Sequence, residues 1–180
     1  KDKKYAEGIG YRLGDMELHP GLGGEFGYDS NMFQRADSED VVDVWRIRVT
    51  PSLSLSTLGS QRRQGAPPPK VTFQAGASGT YNEYFDAGDS NEDVSAHRSF
   101  GANVNADLTI NPTGPFGGRL FGSLVRSVQP SNLSDTSAAY NRVNLQGGTE
   151  LMWLPGGGLF DWRVGYQYGT EWFEEDRFES

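Results

Sequence analysis

Phe100-Gly-Ala-Asn-Val-Asn-Ala-Asp-Leu-Thr-Ile110 alternates without a break. Its even positions are Phe, Ala, Val, Ala, Leu and Ile, and its odd positions are Gly, Asn, Asn, Asp and Thr. Successive side chains of a strand point to opposite faces, so this segment has one apolar face and one polar face. It is longer than the usual strand of a soluble domain, about 5–6 residues. It matches the roughly 9–11 residues with which a tilted strand crosses a bilayer. The rhythm recurs along almost the whole chain and predicts an all-β fold, an antiparallel up-and-down barrel of the outer-membrane type.

Seven such strands are legible. The first spans 16–28, with Leu18, Leu22, Phe26 and Tyr28 on one face and Glu17, His19 and Glu25 on the other. The second (42–55) sets Trp45, Ile47, Val49 and Leu53 against Arg46, Arg48 and a Thr/Ser series. The third covers 71–81 and the fourth is the opening segment. The fifth (119–128) breaks the pattern, because Phe121 and Val125 fall opposite Leu120 and Leu124; a bulge or a plug in the lumen would explain it. The sixth (143–153) and seventh (160–172) resume the alternation. An eighth strand from 5–13, with Ile9, Tyr11 and Leu13 on one face, would make the count even, as bacterial single-chain barrels require. The alternative is that about seven or eight strands here form part of a larger barrel. Residues 1–15 then read as a periplasmic entry segment and 16–180 as barrel.

Composition agrees. Apolar residues make up 36% of the 180, aromatic residues 12%, and there are 24 glycines. A mean hydropathy of -0.59 goes with the absence of any apolar run near the ~20 residues of a membrane helix. A barrel needs apolar side chains only on its outer face. Cysteine is absent, which suits an oxidising compartment. A net charge of -8 argues against a nucleic-acid partner. Lys1 is not preceded by a secretory leader, so the chain reads as a mature or trimmed one.

Connections alternate in character. Residues 111–117 and 154–158 are short and rich in Pro and Gly, whereas 30–40, 82–98 and 129–142 are long and polar or acidic. Short periplasmic turns and long outer loops are the barrel rule, which places the N-terminus in the periplasm. Residues 59–70, with Arg62, Arg63 and three prolines, are long for a turn and break the alternation. Centring each hairpin on its loop pairs Trp153 with Phe160, Leu151 with Trp162 and Glu150 with Arg163. In the first hairpin it pairs Phe26 with Trp45 and Glu25 with Arg46. Aromatic pairs and opposite charges are favoured across strands.

These faces yield two sets of candidate residues. The lumen would be lined by Glu25, Arg46, Arg48, Gln74, Asn103, Asn105, Asp107, Asn144, Gln146, Glu150, Arg163 and Gln167. Tyr28, Trp45, Tyr81, Trp153, Phe160 and Trp172 lie near strand ends, where amphipathic rings sit at a membrane interface.

Gly8-Ile-Gly-Tyr-Arg-Leu-Gly14, the proline-centred first strand and the exit Gly27-Tyr-Asp-Ser-Asn-Met-Phe33 resemble the N-terminal region of proteobacterial outer-membrane β-barrel porins of the porin-2 type. Val49-Thr-Pro-Ser-Leu-Ser-Leu55 is similar to that family's second strand. The motifs cover the first third of the chain; beyond it the likeness is strand rhythm alone. The resemblance implies a Gram-negative outer-membrane barrel and brings no catalytic residues. Family members are longer, and the segment 172–180 lacks a closing strand with an aromatic end.

Three functional classes follow. The first is a porin or channel for small polar solutes, with no cofactor and outer-membrane lipid around it. The second is a non-conducting docking barrel of an envelope-spanning motility or secretion machine, with the basic turn 61–70 available to periplasmic partners. The third, a hydrolase, would have to use His19 or His97, the latter flanked by Ser95 and Ser99, and lacks an orienting partner for either. The acidic run 86–93 lacks the ligand spacing of an EF-hand loop and reads as a solvated loop. A soluble β-sandwich is the structural alternative, and it needs two apolar faces to pack together.

Overall fold

A computed structural model describes residues 10–35, 41–57, 67, 69–88, 93–128, 141–156 and 160–174. They form eight antiparallel strands in one up-and-down sheet, ordered β1-β2-β3-β4-β5-β6-β7-β8. The strands are β1 (Tyr11–Leu13), β2 (Met16–Asp29), β3 (Val44–Thr57), β4 (Val71–Asp86), β5 (Ser99–Ile110), β6 (Phe116–Val128), β7 (Asn141–Trp153) and β8 (Trp162–Glu174). A 3₁₀ turn, Val94–His97, lies between β4 and β5. The connections 30–43, 87–98 and 129–140 join strands at one end of the sheet, here the loop end; 58–70, 111–115 and 154–161 join them at the opposite, turn end. Among the described residues no pairing joins β1 to β8.

The eighth strand is thus a short one. Tyr11–Leu13 folds back on Met16–Leu18 through Gly14, whose φ of 64° suits a residue without Cβ. This strand falls inside the segment read as a periplasmic entry, so the sheet begins earlier than residue 16. The irregular fifth strand contains neither bulge nor break: β6 pairs continuously with β7 from Phe116 to Val128. Phe121 stays on the polar face because Gly148 opposite it has no side chain. A Cβ there would come within 2.5 Å of the Phe121 ring. The Arg119 guanidinium covers the same ring, 5.0 Å from its centroid.

Both hairpin registers differ from the loop-symmetric expectation by two residues. Trp153 pairs with Trp162 and Leu151 with Val164, because the connection runs through 154–161 rather than closing as a four-residue turn. Phe160 therefore lies outside β8. In the first hairpin, Tyr28 pairs with Trp45 and Glu25 with Arg48. A two-residue shift keeps every side chain on its expected face, so the assignment of faces survives. The expected neighbours also remain in reach on the diagonal. Phe26 stacks on Trp45 with ring centroids 5.0 Å apart.

The loop end holds the buried core of the described residues. Met32, Phe33, Val42, Val44 and Val94 cluster there, with Tyr84 packed against them. The connection after β2 is folded by its own polar side chains. Asp29 accepts from the Asn31 N–H at 3.0 Å, and Asn31 Oδ1 accepts from the Arg35 N–H at 2.9 Å. Met32 N–H donates to the Val42 carbonyl at 3.0 Å. The described parts of this loop, 30–35 and 41–43, form a small packed cap rather than the solvated arc that its polarity suggests. Most of the turn 61–70 and part of the acidic run 86–93 lie outside the described residues.

Candidate functional site

The polar face carries its charges in two tiers. At the loop end, Glu25 is held between Arg46 (2.6 Å) and Arg48 (3.1 Å). Arg48 Nε continues the row by donating to Asn82 Oδ1 at 2.8 Å, and Asn82 Nδ2 donates to Ser99 Oγ at 3.0 Å. Four strands are thereby tied together at one level. Further along the same tier, Arg142 pairs with Glu171 at 2.9 Å.

The turn-end tier begins with Glu17 and His19 on β2, 3.0 Å apart. Across β5–β8 it becomes an alternating chain. Arg119 Nε donates to Asp107 Oδ2 at 2.6 Å. Arg163 lies 3.7 Å from Glu150 and 2.9 Å from Asp161. Glu150 and Arg163 are diagonal neighbours, because Met152 stands opposite Arg163.

Between the tiers the polar face is uncharged. The six predicted lumen amides are Asn103, Asn105, Asn144, Gln146 and Gln167, in this interval, and Gln74, which stands opposite Asp107 in the turn-end tier. Five are exposed and Asn144 is half-buried. Asn105 leans over Gly76, where a Cβ would meet its Oδ1 at 2.9 Å. All twelve residues predicted for the lumen share this one face. Arg119 and Arg142 complete its ion pairs and were missed, and Glu171, which the alternation sets on the polar face of the seventh strand, was not counted among the twelve. Their signal was the alternation itself, extended through β6 and to the ends of β7 and β8.

The opposite face is mostly apolar and open, with the charged residues Glu83 and Arg126 toward its loop end. Leu22, Leu151 and Val164 are 79%, 69% and 71% exposed, whereas Val42 in the loop-end cap is at 0%. Seven long strands, about 4.8 Å apart and rising about 3.3 Å per residue, make a face on the order of 1,300 Å². The largest apolar patch on a typical soluble monomer is about 300–600 Å².

Aromatic rings border this face at both ends. Tyr28, Trp45, Phe85, Tyr81, Phe100 and Trp172 lie toward the loop end, and Tyr11, Phe73, Phe116, Trp153 and Trp162 toward the turn end. Aliphatic and small residues fill the middle of most strands; Tyr166 and Tyr168 interrupt them on β8. The two borders do not follow the hydrogen-bonded rows. Traced through the strand pairings, Trp172 lies six residues further toward the turn end than Tyr28, across the six steps from β2 to β8. The turn-end border descends in the same sense from Tyr11, which pairs with Leu18, to Trp162, which pairs with Trp153.

Ring contacts fix several of these side chains. Tyr28 meets Trp45 at 4.9 Å, and Phe116 stacks on Trp153 at 6.3 Å and 12°. Five of the six predicted interface aromatics lie on these borders; Phe160 precedes β8 in the connection. Of the two histidines, His19 faces Glu17. His97 sets its ring edge-on to Phe33 at 5.1 Å, in the cap. No family model, curated protein or solved structure matches the chain.

Proposed function

We propose that the chain is an outer-membrane β-barrel, or the greater part of one wall of a larger barrel, and that it conducts small polar solutes. The observation that carries this reading is the oblique course of the aromatic borders. In a tilted-strand barrel, residues at one membrane depth step along successive strands by a fixed stagger. One residue of stagger per strand, about 3.3 Å along against about 4.8 Å across, corresponds to a tilt of roughly 35°. Outer-membrane barrels tilt by about 35–45°.

The spacing of the borders supports the same reading. Trp162 and Trp172 are ten residues apart on β8, which is about 33 Å along the strand. At a tilt of about 40° this projects to about 25 Å, the height of the apolar band of such barrels. The first-third resemblance to porin-2-type proteins points the same way. A soluble sheet has no reason to order its aromatic residues along a line oblique to its own hydrogen bonds.

The ion pairs bear on the choice between channel and docking barrel. Most join neighbouring strands of one sheet, and the amides between the tiers, apart from half-buried Asn144, are exposed. A plugged interior would engage those amides, so the arrangement favours conduction. A docking role draws support from the matched charges at both ends. Planar-bilayer recording of the full-length protein separates the two. Stepwise ion current is the expected result, and folded insertion without current would leave the docking role.

A further inference from the structure

We infer that the polar face is a path for neutral, hydroxyl-rich solutes such as monosaccharides, selected by the uncharged amide belt between its two charged tiers. This rests on the channel reading. Most charged side chains on the polar face of β2–β8 among the described residues belong to ion pairs; Asp29 and Asp86, at the loop-end tips of β2 and β4, accept instead from the backbone N–H groups of Asn31 and Gly88. On β7 the interval free of charge runs from Arg142 to Glu150, and on β8 from Glu171 back to Arg163. Eight residues amount to about 26 Å along a strand.

Within that interval Asn103, Asn105, Asn144, Gln146 and Gln167 make no side-chain hydrogen bond to the described residues. The contrast with Asn82 is direct, since Asn82 is used on both sides, by Arg48 and by Ser99. A primary amide offers a carbonyl acceptor and two N–H donors, so it exchanges hydrogen bonds with a hydroxyl group in either direction. Amides on β5, β7 and β8, continued across β3 and β4 by Ser52, Ser54 and Ser78, give a sugar successive equivalent partners. Such weak, repeated binding is what passage requires. A charged solute meets no counter-charge over the same length.

The test is isosmotic swelling of liposomes containing the full-length protein, with glucose, gluconate and glucosamine as probes of one size. Glucose should enter several-fold faster than either charged analogue. Asn103→Asp with Asn105→Asp should bring glucosamine up to the glucose rate and slow gluconate further. Gln167→Glu repeats the test on another strand should the double variant fail to fold, as judged by circular dichroism in the liposomes. Charged analogues that enter as fast as glucose, or selectivity unmoved by a folded variant, would overturn the inference. No swelling with any probe, from inserted protein without ion current, would instead overturn the channel reading.

Discussion

The loop-end cap and the strand wall use apolar residues in opposite ways. In the cap, Met32, Phe33, Val42, Val44 and Val94 bury one another, and hydrophobic burial away from water drives the packing. In the wall, larger residues such as Leu22, Phe26 and Tyr166 stay mostly exposed on one shared face. One chain therefore holds a miniature buried core and an exposed apolar face, which the proposed function seats in lipid. Val44 and Trp45 mark the boundary within a single strand: Val44 is 1% exposed and Trp45 is 40% exposed.

Adjacent residues of β5 give the sharpest way to break this contrast. Val104→Arg places a guanidinium in the middle of the apolar face, and in lipid it should cost about 2–4 kcal/mol. Asn103→Arg, on the polar face, should cost little. Urea titration of folding into liposomes measures both, and equal costs would mean that the two faces see the same solvent. The cap should respond on its own. Phe33 is 6% exposed and lies between the His97 ring and the Arg35 guanidinium, 5.1 Å from each. Phe33→Ala should cost about 3 kcal/mol, accelerating hydrogen exchange at the Met32 and Ala87 amides on the order of 100-fold while β5–β8 keep their protection.

The alternation made the faces legible, because a period of two is insensitive to where each strand ends. Registers were less legible, because they depend on turn geometry. Folding at 31–35 and the long 154–161 connection each moved a pairing by two residues. The cap was missed altogether. Its signal was the apolar pairs Met32-Phe33 and Val41-Val42 within a polar, acidic stretch. The exit motif Asp29-Ser-Asn31 now has a physical role, since both polar side chains bond backbone amides that shape the cap entrance. The amide belt was present in the list of lumen residues. That its amides stay open while the charges pair off required coordinates.

Smaller effects refine the comparison. Glu25→Gln leaves Arg46 and Arg48 without their shared carboxylate. On a half-exposed face this should cost no more than about 1 kcal/mol, and it should shift ion selectivity toward anions in bilayer recordings. In the cap, Asp93 accepts from the Ser95 hydroxyl at 2.6 Å and from its N–H at 3.1 Å. These bonds, the hydroxyl foremost, hold its carboxyl below the ordinary range. A carboxyl lowered by folding contributes stability above its unfolded pKa, about 3.9, and loses it as pH falls through the folded value. The 3₁₀ turn at 94–97 should therefore hold at neutral pH and loosen in acid, which amide exchange at Ala96 and Arg98 would follow.

The most direct measurement uses the four tryptophans already present. Trp45 and Trp172 lie on the loop-end border, and Trp153 and Trp162 on the turn-end border. In liposomes of brominated lipids, an interfacial girdle predicts strong quenching of their fluorescence by bromines near the headgroups and little by bromines at the chain ends. Quenching strongest at the chain ends, or none at either depth from folded protein, would contradict a membrane-seated wall.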